Sequence, residues 1–241
     1  MALKDENFQR HIVNNPYPGR GLVVGRSSND CTWLLIYWIM GRSEHSRNRR
    51  FVAENDVLRT EAVDPSLVEN PSLIIYEPMV ELNGIYVVTN GDQTATISEF
   101  LKEGKTFDEA LVTREREPDA PNYTPRISGM LNLRLDPPEI TLNILKASIF
   151  DPEHTDGTTF RPTPPPPGTG VGLTTYMGDG QPLPSYRGDP LPLPCEGAPE
   201  EVLSSYWKAL DADNRLSLAV KQIDPLTQTS ALLIKNKHGD A

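Results

Sequence analysis

Four arginines fall within nine residues of the segment IMGRSEHSRNRRFV, which spans positions 39 to 52. The four are Arg42, Arg47, Arg49 and Arg50. They are unusual because the chain as a whole is acidic, with a formal net charge of −10. Guanidinium groups present forked donors that match phosphate oxygens, which favours an anion-binding loop. The alternative is a solvated face on which these arginines pair with Glu44, Glu54 and Asp56.

A second group of polar residues occurs in DAPNYTPRISG, positions 119 to 129. Pro121 and Pro125 bracket three residues with hydrogen-bonding side chains. These are Asn122, Tyr123 and Thr124. Because proline restricts the residue before it, we expect an extended backbone that displays these side chains beside Arg126. The alternative is a proline-stiffened turn that leads into a strand.

The third candidate is VVTNGDQT, positions 87 to 94, in which an apolar strand runs into an Asn-Gly-Asp turn and then into a helix. Free N–H groups at the amino end of a helix attract anions, so Asn90 and Asp92 are candidates for a ligand site. The same residues equally predict a simple helix cap, with Asp92 or Thr94 as the capping residue.

The composition of the chain limits its partners. With a net charge of −10 the protein would repel a nucleic-acid backbone, so we expect a small anionic ligand and no nucleic acid. No apolar run reaches the length of a membrane span, and the start MALKDENFQR lacks the apolar stretch of a secretory signal, which predicts a cytoplasmic protein without membrane contact. Cys31 and Cys195 have no metal-ligand spacing, and no GxGxxG motif occurs, so we expect no metal and no cofactor.

The apolar segments predict an α+β fold in a single domain over 1–241. Nine segments are candidate strands, at 21–27, 32–40, 72–78, 84–90, 127–133, 141–148, 170–177, 215–223 and 230–237. The first two are separated by the turn-rich residues SNDC and should form a hairpin, and the run 32–40 is apolar on both faces, which predicts a strand buried between two layers. Three helices are expected: one with Ile97, Phe100 and Leu101 at helical spacing, one opened by a Thr106–Glu109 capping box, and one over 199–211. The Pro-rich stretches 161–170 and 180–195 are expected to be ordered surface connections, and the alternative is disordered linkers.

Several of these segments together resemble one enzyme family, the archaeal-type inosine monophosphate (IMP) cyclohydrolases and their bacterial relatives. The segments are NPYPGRGLVVG (15–25), MGRSEHSRNR (40–49), LRTEAVDP (58–65), NPSLIIY (70–76), VTNGDQT (88–94) and NYTPRISG (122–129). The resemblance extends from about residue 14 to the end and is stronger before residue 150. Residues 151 to 200 carry no motif that matches the family.

The resemblance implies a four-layered αββα sandwich of the amino-terminal-nucleophile (Ntn) hydrolase type, without self-cleavage. It also implies the last step of de novo purine biosynthesis. In that step 5-formamidoimidazole-4-carboxamide ribonucleotide (FAICAR) closes to IMP with loss of water. The ligand would be a purine ribonucleotide, and association of the chain with further copies of itself is left open.

This reaction assigns expected roles to residues of the matched motifs. Arg42 and Arg126 would stabilise anionic oxygen, and Tyr123 would donate to the formyl oxygen. Glu44 and Glu61 are candidates for proton transfer. The expected substrate-binding residues are Ser43, Arg47, Asn48, Asn90, Asp92 and Thr124. His45 is expected to be a surface residue.

Two other functions are alternatives to this reaction. An amidohydrolase of the same fold would use Cys31 as its nucleophile, which requires cleavage after Asp30 to free an amino group. A non-catalytic purine-nucleotide-binding module would use the same arginines without turnover.

Overall fold

The structure is a computed structural model that describes residues 1–29, 32–54, 57–68 and 74–238. These residues form antiparallel sheets with few helices, which is the α+β class that the sequence predicts. The strands are β1 (Gly21–Arg26), β2 (Trp33–Met40), β3 (Arg50–Glu54), β4 (Val57–Glu61), β5 (Met79–Leu82), β6 (Ile85–Thr89), β7 (Arg126–Asn132), β8 (Glu139–Ala147), β9 (Thr155–Phe160), β10 (Thr169–Thr174), β11 (Leu191–Pro194), β12 (Arg215–Ile223) and β13 (Ser230–Asn236). The helices are α1 (Leu3–Phe8), which a π-helical turn (Gln9–Val13) continues, α2 (Glu44–Arg47), α3 (Gln93–Lys102), α4 (Phe107–Leu111), α5 (Pro199–Ala209) and a 3-10 turn (Pro65–Leu67).

Six strands form the first sheet, in the order β11-β10-β1-β2-β12-β13. All eight residues of its strand β2 are buried, which confirms the expectation of a strand covered on both faces. The β1–β2 pair is the expected hairpin, with Leu22 opposite Tyr37. Trp38 follows Tyr37 in β2, so its side chain lies on the opposite face of the sheet. There its ring contacts Tyr206 of α5, with 6.0 Å between ring centroids. Helix α5 therefore covers one face of this sheet.

Five strands form the second sheet, in the order β5-β6-β7-β8-β9. It packs against the first sheet at Gly129, where an added Cβ would lie 3.2 Å from the Leu22 side chain. The glycine thus permits the two sheets to approach closely. On the opposite face, Ile97 of α3 and Phe107 of α4 pack in one apolar cluster with Val87. The second sheet is therefore covered by the first sheet on one face and by helices on the other.

The strand expected over 72–78 is not formed in its described part, residues 74–78. This segment runs beside Thr60 of β4, whose side-chain Oγ1 accepts the Tyr76 N–H at 2.9 Å. The Thr60 side chain thus accepts the Tyr76 N–H, which in a regular sheet would donate to the backbone of a neighbouring strand. Pro78 has no N–H that could donate to such a strand. Regular pairing starts only at Met79, in β5.

The Pro-rich stretch 180–195 ends in an edge strand. Its last part, β11, pairs with β10 at the edge of the first sheet. Leu191 and Leu193 are buried and alternate with Pro192 and Pro194. An edge strand tolerates proline because its outer N–H groups have no partner to bind. The alternation of leucine and proline is the strand pattern that the sequence prediction missed.

The three expected helices are confirmed. Thr106 and Glu109 form the reciprocal capping box of α4, in which the Glu109 N–H donates to Thr106 Oγ1 at 3.2 Å. Pro199 is in the first turn of α5, where its missing N–H is harmless. Asp92 precedes α3 but makes no side-chain cap, so its side chain is available for other contacts.

Candidate active site

A cavity of about 340 Å³ lies where the arginine-rich loop, the loop before β7 and the loop after β10 meet. Its charged side chains come from distant parts of the chain. They are Arg20, Arg42, Arg49, Glu117 and Asp119, and His45 also lines the cavity. Tyr17 and Tyr176 add two aromatic rings to the wall. The cavity therefore combines cations, carboxylates and aromatic surface, as an anionic ligand with a planar ring requires.

A buried ion pair joins Arg20 to Glu117. Nη1 of Arg20 lies 2.8 Å from Oε1 of Glu117, and Nη2 donates to Oε2 at 2.9 Å. The two residues are only 7% and 5% exposed. Burial alone would lower the pKa of Arg20, but the Glu117 carboxylate raises it well above its ordinary value. Arg20 therefore stays charged, and its bidentate ion pair with Glu117 fixes the position of its guanidinium group.

Glycine at position 19 makes the placement of Arg20 possible. Gly19 has φ of +73°, and an added Cβ would lie 2.2 Å from Thr175 Oγ1. The backbone passes so close to Thr175 that Oγ1 of Thr175 accepts the Arg20 N–H at 3.0 Å. A side chain at position 19 would displace the chain just before the arginine.

Asp119 lies at one end of a chain of hydrogen bonds. The Thr124 N–H donates to Asp119 Oδ1 at 2.6 Å, and the Thr124 hydroxyl contacts both Asp119 Oδ2 and the Tyr176 hydroxyl. Burial raises the pKa of Asp119, the charge of Glu117 raises it further, and the bonds from Thr124 oppose this rise. A carboxyl group with a raised pKa in a cavity is a candidate general acid or base.

Arg49 has a donor that no described residue uses. The residue is 8% exposed, and its Nε donates to the Ser46 carbonyl at 2.9 Å. Its Nη1 is buried and has no hydrogen-bond partner in the described parts of the chain. A buried donor without a partner costs about 1 to 3 kcal/mol, so an oxygen of a bound ligand would be favoured there.

Arg42 lies over the ring of Tyr17, with 4.9 Å between its guanidinium carbon and the ring centroid. Tyr17 in turn stacks on Tyr176, with 5.9 Å between centroids and 22° between planes. Burial raises the pKa of Tyr17, while Arg49, Arg20 and Arg42 oppose the rise. The tyrosine pair therefore offers a neutral aromatic wall beside three cations.

The structure brings three of the residues expected from the sequence into this cavity. They are Arg42, Ser43 and Thr124. His45, expected to be a surface residue, is exposed and also lines the cavity. The expected acids lie elsewhere, since Glu44 is exposed in the first turn of α2 and Glu61 pairs with Arg50 at 2.5 Å on the β3–β4 hairpin.

Tyr123 is directed away from the cavity. Its hydroxyl donates to Glu153, and its ring lies 4.0 Å from the guanidinium carbon of Arg116. The expected extended backbone is wrong here, because Tyr123 has φ of +43° and its N–H donates to the Asp119 carbonyl. Because a turn forms instead, Asn122 and Thr124 line the cavity while Tyr123 does not.

Arg47 and Asn48 hold the arginine-rich loop in place. Arg47 donates to the Gly41 carbonyl at 3.1 Å and to Asn214 Oδ1 at 3.3 Å. The Asn48 side chain exchanges two hydrogen bonds with the backbone of Asp64, both 2.7 Å long. Neither side chain lines the cavity, so both act on the shape of the loop.

Asn90, Asp92 and Arg126 form a second polar cluster behind the cavity wall. The Asn90 side chain accepts the Ile127 N–H at 2.8 Å and donates to the Pro125 carbonyl at 2.8 Å. Asp92 lies 2.6 Å from Arg126 Nη1 and also pairs with Arg114. Burial would raise the pKa of Asp92, but the two arginines hold it below its ordinary value. The cluster fixes the start of β7 beside the loop that carries Asp119.

Sequence reasoning missed several residues of the cavity. The main ones are Tyr17, Arg20, Glu117, Asp119 and Tyr176, whereas Arg49 was named only as a member of the arginine-rich segment. Arg20 lies inside the matched segment NPYPGRG, and Arg49 is the last residue of MGRSEHSRNR, so both carried a signal. Glu117 and Asp119 directly precede NYTPR in the acidic stretch EREPDAP. Tyr176 belongs to the region without a family motif and had no signal.

The described residues offer neither a metal site nor a membrane-spanning helix. In them, His, Cys, Asp and Glu side chains form no group of three that could hold a metal ion. None of the helices in the described ranges has the length and apolar character needed to cross a membrane. Cys31, the nucleophile of the amidohydrolase alternative, lies outside the described residues.

Comparisons with known proteins agree with the motifs. A family model described as "IMP cyclohydrolase-like protein" matches residues 17–228. A curated relative from Methanosphaera stadtmanae, named IMP cyclohydrolase, is 33% identical over 125 residues. The aligned part covers 49% of this chain and 59% of the relative, which is less than two thirds of that protein's length.

Proposed function

Because the chain belongs to the IMP cyclohydrolase-like family, we propose that it closes FAICAR to IMP with loss of water, the last step of de novo purine biosynthesis. The observation that carries this proposal is the cavity in which motif arginines meet two carboxylates and two tyrosines. A phosphate-bearing ligand with a flat ring needs this combination of cationic and aromatic surface.

In the proposed complex, Arg42 binds the phosphate and the imidazole ring lies against Tyr17. The free N–H of Arg49 donates to the formyl oxygen, where negative charge develops during attack. Arg20 already binds Glu117 and the Asn90 carbonyl, and it adds a fixed positive charge to the wall. Ser43 and Asn122 are further polar contacts at the rim.

The reaction joins two groups of one molecule. The carboxamide nitrogen attacks the formyl carbon, a C–N bond forms, and Asp119 accepts the proton that the nitrogen loses. Asp119 gives this proton to the formyl oxygen, which becomes the hydroxyl group of a cyclic carbinolamine. The C–O bond then breaks while a C=N bond forms to the former formamide nitrogen. That nitrogen loses its N–H proton, which Asp119 passes to the departing hydroxyl so that it leaves as water. Since nucleophile and electrophile are already linked, the enzyme gains most by holding the substrate in the closing rotamer.

We also propose that the fold is the four-layered αββα sandwich that the family resemblance implies. Two facing sheets with α5 outside one and α3 and α4 outside the other support a four-layered αββα arrangement of the Ntn-hydrolase type. We place the reaction in the cytoplasm, where purine nucleotides are made.

The test is incubation of the purified protein with FAICAR while IMP formation is followed by chromatography. Turnover that disappears in Arg49→Ala but persists in Arg50→Ala supports the proposal, because Arg50 pairs with Glu61 outside the cavity. Binding of IMP without turnover would favour the non-catalytic module. A chain that begins at Cys31 by intact mass would favour the amidohydrolase.

A further inference from the structure

A loop of eight residues, 177–184 (MGDGQPLP), extends from the end of the first sheet to the cavity. Its base is closed by the bridge between Tyr176 and Ser185 and by the Met177 N–H, which donates to the Pro184 carbonyl at 2.9 Å. Its tip, Asp179 between two glycines, reaches Arg42.

The loop tip offers Arg42 the kind of oxygens that a phosphate offers. The Asp179 carboxylate pairs with Nη1 of Arg42, and the Gly180 carbonyl accepts from Nη1 and Nη2 at 3.2 Å each. The guanidinium remains over the Tyr17 ring, so its position does not depend on the loop alone. Arg42 is therefore already positioned at the cavity, and Asp179 and Gly180 occupy its hydrogen-bond donors.

We propose that Asp179 competes with the phosphate of the ligand for Arg42 and so keeps release of the phosphorylated product fast. This inference rests on the proposed function, because it needs a phosphate-bearing ligand in the cavity. A phosphate monoester carries nearly two negative charges near pH 7, whereas Asp179 carries one, so the ligand displaces the carboxylate. Asp179 in turn replaces the phosphate as the product leaves.

The charges around the cavity agree with this exchange. Three arginines line the cavity against two carboxylates, Glu117 and Asp119, so the arginines exceed the carboxylates by one charge. Asp179 beside the cavity neutralises that charge. The contact is partly exposed, with 33% of the Arg42 side chain and 52% of the Asp179 side chain accessible. A pair of this kind is weak enough to exchange with a ligand.

The first measurement is IMP binding by calorimetry and stopped flow to the wild type and to Asp179→Asn. We expect Asp179→Asn to bind IMP about 1.5- to 5-fold more tightly and to release it more slowly, the size of a lost exposed ion pair. Inosine, which has no phosphate, should bind both proteins equally. Asp189→Asn removes the same charge from an exposed site nearby and should leave both affinities unchanged. Equal or weaker IMP binding by Asp179→Asn would overturn the proposal.

The second measurement is hydrogen–deuterium exchange of the peptide that contains 177–184, with inorganic phosphate as the probe. Phosphate should speed exchange in this loop of the wild type, and Asp179→Asn should exchange fast without it. If phosphate leaves the wild-type loop unchanged, the competition does not exist. This measurement does not depend on turnover. If the wild type forms no IMP, the proposed reaction is refuted, but the exchange data still decide whether Asp179 and phosphate compete for Arg42.

Discussion

Replacement of Glu117 by glutamine tests whether the buried ion pair holds the cavity together. Glutamine keeps the size of the side chain and one acceptor oxygen, but it removes the charge that compensates Arg20. Both residues are more than nine-tenths buried, and the two contacts are 2.8 and 2.9 Å long. Arg20 would therefore remain as a buried cation without an anionic partner.

The expected loss of stability follows from two independent figures. Opposite charges about 4 Å apart attract by about 4 kcal/mol at the effective dielectric constant of a protein. Removal of one partner of a buried pair costs about 3 to 5 kcal/mol. For a chain of this size each kcal/mol lowers the melting temperature by about 2 to 4 °C, so Glu117→Gln should melt roughly 6 to 20 °C below the wild type.

Glu61→Gln is the matched control for this experiment. It removes the same charge from the Arg50–Glu61 pair, whose side chains are 31% and 39% exposed. An exposed pair contributes about 0.2 to 1 kcal/mol, so this variant should melt within a few degrees of the wild type. Urea unfolding of the three proteins followed by circular dichroism gives the free energies. If the free energies of unfolding of the two variants differ by less than about 1 kcal/mol, the Arg20–Glu117 pair does not stabilise the fold more than an exposed pair does, and the reasoning is refuted.

Three further substitutions separate the cavity from its surroundings. Tyr123→Phe should keep near-normal kcat, since the hydroxyl contacts Glu153 outside the cavity, and a large fall in kcat with unchanged melting would contradict this placement. Asp119→Asn should lower kcat more than KM. In the wild type, kcat/KM should fall as the pH drops through the pKa of Asp119, which lies above its ordinary value, and this limb should vanish in the variant. Arg126→Ala should reduce the free energy of unfolding by about 1 to 3 kcal/mol, because Gln93 Oε1 loses its donor and Asp92 keeps only its contact with Arg114. Urea unfolding measures this loss, and unchanged stability would show that the cluster is not structural.

Local features of the sequence predicted local features of the fold. The capping box of Thr106 and Glu109 and the proline in the first turn of α5 act over one helical turn, so they are readable from neighbouring residues. The apolar run of β2 predicted a doubly covered strand because each of its faces needs a partner layer. These signals do not depend on the path of the rest of the chain.

The composition of the cavity depends on long-range contacts that no local pattern contains. Arg20 and Glu117 are 97 positions apart, and their pairing exists only after the two sheets have packed. The direction of Tyr123 was decided by the Asp119 carbonyl, which accepts its N–H and turns the backbone to a positive φ. The prolines on either side restrict the chain but do not choose between the extended and the turned form.

The motif residues divide into those that face the cavity and those that hold them in position. Asn90 connects the two groups, because its side chain fixes the start of β7 while its carbonyl accepts from Arg20 at 3.0 Å. A change at Asn90 would therefore disturb Arg20 without removing any group that lines the cavity. This explains why VTNGDQT can be part of a family motif although Asp92 lies outside the cavity. The proposed ring closure relies on orienting one molecule, so it would depend on such supporting contacts as much as on the groups that touch the substrate.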